Sequence, residues 1–267
     1  MTEHKKIFDY QKSFKILAIG NSFSEDGLHY LFNIARDNGL KNTVIGNLYI
    51  GGASLELHYK NAQANLPLYK YQKNINGTWI DHHDYPISSA IVDEDWDLIT
   101  LQQTSGLSGI SDSFEPYLSF MINYINTHKT NNNLKIGWHL TWAYPEGSDH
   151  YSFSNYDNNQ LMMYQAIIAA VREKVLDNPA LSVVIPVGTA IQNLRMSFIG
   201  DTLNRDGFHL SLDKGRYTAG LTWFKSLTNL SLINLQNIPK EITELELAKM
   251  KEAVEQAHKN PLQISKK

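Results

Sequence analysis

The sequence predicts an α/β protein: a three-layer α/β/α sandwich around a central, mostly parallel five-stranded sheet, with residues 1–267 in a single domain. Three observations carry this expectation. Five apolar runs, at residues 15–20, 43–50, 97–101, 134–140 and 182–187, have the length and composition of buried strands. Each is followed by helical periodicity or by a loop leading to it, the alternation that a parallel sheet covered on both faces requires. Hydrophobic residues make up 42% of the chain, enough for one sizeable core, and no repeat, low-complexity tract or linker divides it.

The elements follow in order. Ile16-Leu17-Ala18-Ile19 forms the first strand, and Leu28, Leu31, Phe32 and Ala35 mark the helix after it. The second run ends at Gly51-Gly52. Residues 54–95 exceed what one crossover needs and contain Asn76-Gly77, a hairpin-turn signal between Lys73-Asn74-Ile75 and Thr78-Trp79-Ile80. This segment reads as an insertion near the mouth of a site. The third run ends in Gln102-Gln103, and after the fourth, residues 141–160 are rich in Tyr, Ser, Asn and Asp and read as a long surface loop. The clearest helix places Leu161, Tyr164, Ile168, Val171 and Val175 at three- and four-residue steps and stops before Asn178-Pro179. Another uses Tyr217, Leu221 and Phe224. A C-terminal helix at about 241–258 carries Leu247, Met250, Val254 and Ala257 behind a capping box, Thr243 with Glu246.

Composition excludes several functions. A net charge of −3 with mixed signs argues against a general nucleic-acid binder. No apolar stretch approaches the ~18 residues of a membrane span. With no cysteine there is neither a disulfide framework nor a thiol nucleophile, so a hydroxyl must carry any covalent step. The start, Met1-Thr2-Glu3-His4-Lys5-Lys6, lacks the apolar core of a secretory signal. As written this implies a cytoplasmic protein, or a periplasmic or secreted one if an export signal has been removed.

Two short segments carry the chemistry. Gly20-Asn21-Ser22-Phe23-Ser24 follows the first strand, placing Ser22 at a strand-to-helix elbow beside free backbone N–H groups. Asp206-Gly207-Phe208-His209 holds an acid and a base three residues apart on a glycine-containing loop. Serine is a weak nucleophile until a base takes its proton; His209 fits that task, and Asp206 can hold the imidazole tautomer. Ligands of doubly wound sheets bind outside the carboxyl ends of the strands, where Ser22, Gly51-Gly52, Gln102-Gln103 and the Asp206–His209 loop all fall.

Each residue also has a plainer reading. Ser22 could cap the following helix, a role that Ser24 or Asp26 would fill more naturally. Gly51 and Gly52 could be turn glycines. Gln102 and Gln103 at an apolar strand end need partners for buried amides. Asp206 could be a loop cap. Trp138, His139, Trp142 and Tyr144 could be core, although a Trp–Tyr wall (Trp138, Trp142, Tyr144) near the rim also suits sugar binding. His82-His83-Asp84 reads as a solvated loop, since adjacent ligands point apart and no second cluster has matching spacing. Asp93-Glu94-Asp95 reads as a surface charge run. No metal or cofactor is expected, and no glycine loop has the pattern that cradles phosphates.

The arrangement resembles the SGNH (GDSL-like) hydrolase superfamily over most of the chain. Gly20-Asn21-Ser22 is similar to the nucleophile block, with Asn where Asp is usual. Gly52-Ala53-Ser54 is similar to the block donating an oxyanion N–H, and Asp206 with His209 matches the terminal block. The third block departs: Leu101-Gln102-Gln103-Thr104-Ser105 stands where the family usually has Gly-x-Asn-Asp. More closely, "ILAIGNSFS", "LQQTSG", "HLTWAYP" and "RDGFHLSLDKGRYTAG" resemble the DUF4886 branch. The resemblance implies an SGNH/flavodoxin-like sandwich and a Ser-His-Asp esterase built on Ser22, His209 and Asp206. Its oxyanion hole would use Ser22, Gly52 and a glutamine, Gln102 or alternatively Gln103. The expected substrate is a small-molecule or oligosaccharide ester, a carbohydrate acetyl ester foremost, with no nucleic-acid or membrane partner. An acyl-thioesterase or lipase-like hydrolase and a catalytically decayed glycan-binding module are the competing readings.

Overall fold

The computed structural model describes residues 13–265; the polar start Met1-Thr2-Glu3-His4-Lys5-Lys6 lies outside them. One sheet organises the chain. Its strands are β1 (Lys15–Gly20), β2 (Val44–Tyr49), β3 (Tyr69–Ile75), β4 (Thr78–Tyr85), β5 (Leu98–Leu101), β6 (Lys135–His139) and β7 (Leu181–Ile185). They lie in the order β4-β3-β2-β1-β5-β6-β7. The five strands expected from the apolar runs are β1, β2, β5, β6 and β7, and all pair in parallel. After β2 the order resumes on the other side of β1, so the carboxyl ends of β1, β2 and β5 meet at the switch in winding direction. That crevice is where this architecture binds ligands. β1 and β5 are buried almost throughout, which explains their unbroken apolar runs.

Two further strands extend the expected five. The hairpin signalled at Asn76-Gly77 within residues 54–95 extends the sheet, β3 antiparallel to β2 and β4 antiparallel to β3. Asn76 and Gly77 both adopt positive φ, 54° and 93°, as a type I′ turn requires. The polar composition of β3 hid that pairing. Its Lys73 is nevertheless buried, with Nζ 2.7 Å from Asp93 and 2.6 Å from Glu94, while Glu94 also takes Lys15 of β1 at 2.7 Å. Asp93 and Glu94 therefore clamp the sheet instead of forming a plain surface run. β4 is the exposed edge, and His82, His83 and Asp84 lie on it rather than in a loop; outward charges discourage strand addition there.

The helices are α1 (Ser22–Leu28), α2 (Leu31–Asp37), α3 (Leu55–Ala64), α4 (Ile87–Val92), α5 (Tyr117–His128), α6 (Gln160–Val171), α7 (Val187–Arg195), α8 (Lys214–Thr228) and α9 (Glu244–Lys259). Eight of them fall into two packed groups, α3, α4 and α5 together and α1, α2, α7, α8 and α9 together, while α6 packs on the short turns at 111–113, 151–156 and 172–176. Tyr217, Leu221 and Phe224 of α8 are fully buried between its neighbours. α6 runs on into a π turn, Arg172–Leu176, and stops before Asn178-Pro179. α9 opens with the Thr243/Glu246 capping box, and Lys214 of α8 reaches Glu246 at 2.6 Å. No helix among the described residues is long and apolar enough to cross a membrane.

Candidate active site

Ser22 is the first residue of α1, and the residue before it, not Ser24 or Asp26, is the cap. Asn21 is extended (φ −144°, ψ −154°) and its Oδ1 accepts from Phe23 N at 2.9 Å. Ser22 is partly exposed on a cavity of about 650 Å³. Ser24 is buried, its Oγ 2.7 Å from both Asn21 O and Asn47 Oδ1, which leaves Ser22 as the accessible hydroxyl. Gly20 is needed for space: a Cβ there would sit 2.6 Å from Ser24 Oγ and 2.9 Å from Gln102 Oε1. Gly52 is needed for conformation, turning the chain at φ +67° between Ile50 and Ala53, and it lines the same cavity.

The glutamines stand beneath the cavity, not in its wall. Both are 1% exposed. Gln102 Nε2 donates to Asn21 Oδ1 at 2.9 Å, and its Oε1 accepts from His139 Nδ1 at 3.0 Å. Gln103 Oε1 accepts from Leu55 N at 3.0 Å and from Thr104 N at 2.9 Å, while its amide donates to Ser113. Neither glutamine lines the cavity where the oxyanion role was expected of one of them; each buried amide takes the partners nearest it. Asn21 Nδ2 donates to Ala53 O at 2.9 Å. Asn21 thereby ties the loops after β1, β2 and β5 into one rigid rim, which accounts for an Asn where an Asp could not donate. His139 carries its proton on Nδ1 to meet Gln102, and full burial pushes its pKa down to about 3, keeping it neutral.

The acid and base sit at the tip of a tight turn closed by the Asn204–Leu210 bridge. Asp206 Oδ1 accepts from Phe208 N at 2.9 Å and His209 N at 2.6 Å; its Oδ2 lies 2.9 Å from His209 Nδ1. Burial works against the Asp206 charge, but the hydrogen bonds from the His209 and Phe208 amides and the His209 ring outweigh it, holding the carboxyl below its ordinary value. His209 Nε2 is thus the nitrogen left for the substrate side. His209 and Ser22 line one cavity, although among the described residues no hydrogen bond joins them in this state.

Sequence reasoning missed what fixes this loop. Asp26 of α1 is fully buried and receives Arg216 Nε at 2.7 Å, Arg205 Nη1 at 3.0 Å and Leu210 N at 2.8 Å. Arg205 adjoins Asp206, so an ion cluster centred on the buried Asp26 lashes the acid–base turn to the nucleophile helix. An acidic residue among the core positions of a short helix, and Arg directly before Asp-x-x-His, were the available signals. Gly207 completes the packing, since a Cβ there would meet Asp149 Oδ1 at 2.7 Å.

The three expected sugar-binding aromatics are corrected. Trp138, Trp142 and Tyr144 are 2%, 0% and 0% exposed. Trp142 stacks on Phe23 (4.1 Å, 4°) and donates to Phe208 O at 2.8 Å; Trp138 packs on Phe114, and the Tyr144 hydroxyl meets Ser105 Oγ at 2.8 Å. They support the site from behind. The aromatic side chains that reach the cavity are Phe23, Tyr49, Tyr151 and Phe208. The loop at 141–160 supplies His150, Tyr151, Ser152 and Asn155, the last three from a 3-10 helix, Tyr151–Tyr156. Among the described residues no cluster of His, Asp and Glu suits a metal ion.

DUF4886, a domain of unknown function, matches residues 15–257. The crystal structure of a DUF4886 family protein from Bacteroides uniformis ATCC 8492 superposes with a TM-score of 0.91 at 40% identity, covering 95% of this chain and 97% of that one. A proposed SGNH hydrolase from Slackia heliotrinireducens has a TM-score of 0.54 at 17% identity, over 80% of this chain and 99% of that one. An acetyl-xylooligosaccharide esterase variant from Geobacillus Stearmophilus has a TM-score of 0.50 at 10% identity, over 84% and 97%. These two likenesses carry the SGNH-hydrolase fold alone. Among curated proteins, none matches the chain.

Proposed function

The chain belongs to the DUF4886 family, and from that premise and the site geometry we propose a serine ester hydrolase that removes a short acyl group, acetyl foremost, from a carbohydrate. One observation carries the reading: the Asp206–His209 pair at 2.9 Å opens on the same cavity as Ser22 at its helix N-terminus.

The chemistry follows from those positions. Ser22 Oγ attacks the ester carbonyl carbon as His209 Nε2 takes the hydroxyl proton, and Asp206 holds the Nδ1–H and stabilises the imidazolium. The carbonyl π pair moves onto oxygen, where the N–H groups of Ser22 and Gly52 receive it, each worth about 3 kcal/mol of barrier. Collapse breaks the bond to the alkoxy oxygen, which leaves with the proton from His209. Water, deprotonated by the same nitrogen, then releases the acid and restores Ser22. The Ser22–His209 contact closes when substrate is bound, as catalytic hydrogen bonds often do.

The cavity wall supports the substrate class. None of its lining residues is Asp, Glu, Lys or Arg. A phosphate, carboxylate or ammonium ligand would find no counter-charge; a neutral polyhydroxylated one finds Ser54, Thr104, Ser105, His150 and Asn155. Phe23, Leu107 and Phe208 give the cavity apolar surface for the acyl methyl and for the C–H face of a sugar.

The test compares p-nitrophenyl acetate, butyrate and octanoate with wild type and Ser22→Ala. Turnover that prefers acetate and vanishes in Ser22→Ala is expected. A long-chain preference would move the reading to a lipase-like or thioesterase enzyme. Absence of turnover alongside glycan binding would move it to a binding module.

A further inference from the structure

Resting on the esterase reading, we propose that the segment His150–Asn155 is the subsite for the leaving group, and that it holds a sugar ring against Tyr151 with His150 as a fixed neutral hydrogen-bond donor. The direction comes from the chemistry. The departing oxygen takes its proton from His209, so the alcohol must lie on the His209 side, while the carbonyl oxygen points toward Ser22 N and Gly52 N. The wall beside His209 is this segment. The His150 ring contacts Phe208 edge-on at 4.9 Å, Phe208 contacts His209 at 4.0 Å, and Ser148 Oγ donates to Gly207 O at 2.6 Å.

The side chains select the ligand. His150 caps its own 3-10 helix, Nδ1 accepting from Ser152 N at 3.2 Å. An Nδ1 that accepts cannot carry the proton, so the neutral ring presents Nε2–H. Asn155 Nδ2 donates to Gly106 O at 3.1 Å, which leaves its Oδ1 as an acceptor. Tyr151 is 86% exposed at the cavity rim, with one face stacked on His150 (4.7 Å, 24°). An open aromatic surface beside one donor and one acceptor fits a pyranose: its C–H face is apolar, and each hydroxyl both donates and accepts.

The experiment compares methyl 2-O-acetyl-xylopyranoside with ethyl acetate, which has the same acyl group and no ring to stack. Tyr151→Ala should raise KM for the glycoside about tenfold and that for ethyl acetate far less, with Tyr151→Phe near wild type. His150→Phe, which keeps the ring and removes the N–H, should weaken the glycoside selectively. Equal losses on both esters, or none on either, would overturn the subsite. If wild type cleaves neither ester, the esterase reading fails, and the subsite is still decided by saturation-transfer NMR of the glycoside on Ser22→Ala. Binding there that survives Tyr151→Ala rejects it; binding abolished by Tyr151→Ala upholds it.

Discussion

Replacing Asp26 by Asn removes one charge from the cluster that joins the nucleophile helix to the acid–base turn and changes almost no volume. The carboxylate is fully buried and takes both Arg205 and Arg216 as well as Leu210 N. Removing one partner of a buried ion pair costs about 3–5 kcal/mol, because the other charge is left uncompensated. The Arg205 and Arg216 side chains keep 28% and 14% exposure and can partly solvate, so the lower end, about 3 kcal/mol, is expected. For a chain of this length that lowers Tm by about 6–12 °C. The kinetic effect is separate. The cluster sets where Arg205, and hence Asp206 and His209, sit relative to Ser22, and a misplacement of about 1 Å can cost ~10²-fold in rate. On ethyl acetate, well below the variant's own Tm, kcat should fall at least about tenfold with KM nearly unchanged. Arg205→Met added to Asp26→Asn should recover part of the stability, since it removes the stranded charge. A folded Asp26→Asn variant with the expected Tm loss and wild-type kcat would refute the positioning argument and leave the cluster a purely structural device.

The parallel core was legible because β1 and β5 are buried on both faces and β2 and β6 largely so, and burial on two faces writes an apolar run into the sequence; β7, half-buried at the sheet edge, still reads as a strand through Leu181, Val183, Val184 and Ile185. The turn of the β3–β4 hairpin was legible from Asn76-Gly77, but its place in the sheet was not, because its strands at the sheet margin are largely polar. Lys73 reads as solvent-facing until Asp93 and Glu94 are brought beside it by the fold. The same reason hid the glutamines' role. A polar residue after a strand looks like a ligand for substrate, and nothing local to Gln102 says that His139 and Asn21 will take both ends of its amide. The pair Asp206 and His209 was legible because three residues of turn suffice to bring them together. Asp26 with Arg205 was not, since 179 residues separate them and neither signals the other. The sugar wall differs for another reason: Trp138 lies within β6 and Trp142 just past its end, both still in the core, and the rim begins only at the polar stretch around His150 and Tyr151.

Ser22→Ala and His209→Ala should each abolish ester turnover with Tm nearly unchanged, and the double variant should lose no more than either single one, because the residues act as a unit; residual activity above 1% in Ser22→Ala would reopen the choice of nucleophile. Gln102→Ala should cost about 2–3 kcal/mol in urea unfolding by orphaning His139 and loosening Asn21. A large kcat loss at unchanged stability would instead return Gln102 to the oxyanion hole. Acid should destabilise the fold through its buried imidazoles. Burial lowers His139 from 6.5 to about 3 and His58 from 6.5 to about 4. Because the folded-state values lie below the unfolded ones, only the unfolded chain takes up these protons between them. The stability is fully present above about pH 6.5 and is lost as pH falls toward those lower values, at about 1.4 kcal/mol per unit for each ring. Tm should therefore already decline from pH 6.5 to 5.5, above the range where carboxylates titrate, and His58→Gln should flatten that decline. A Tm constant over this interval would mean that the rings gain protons in the folded state, and that Gln102 is not held by a neutral His139.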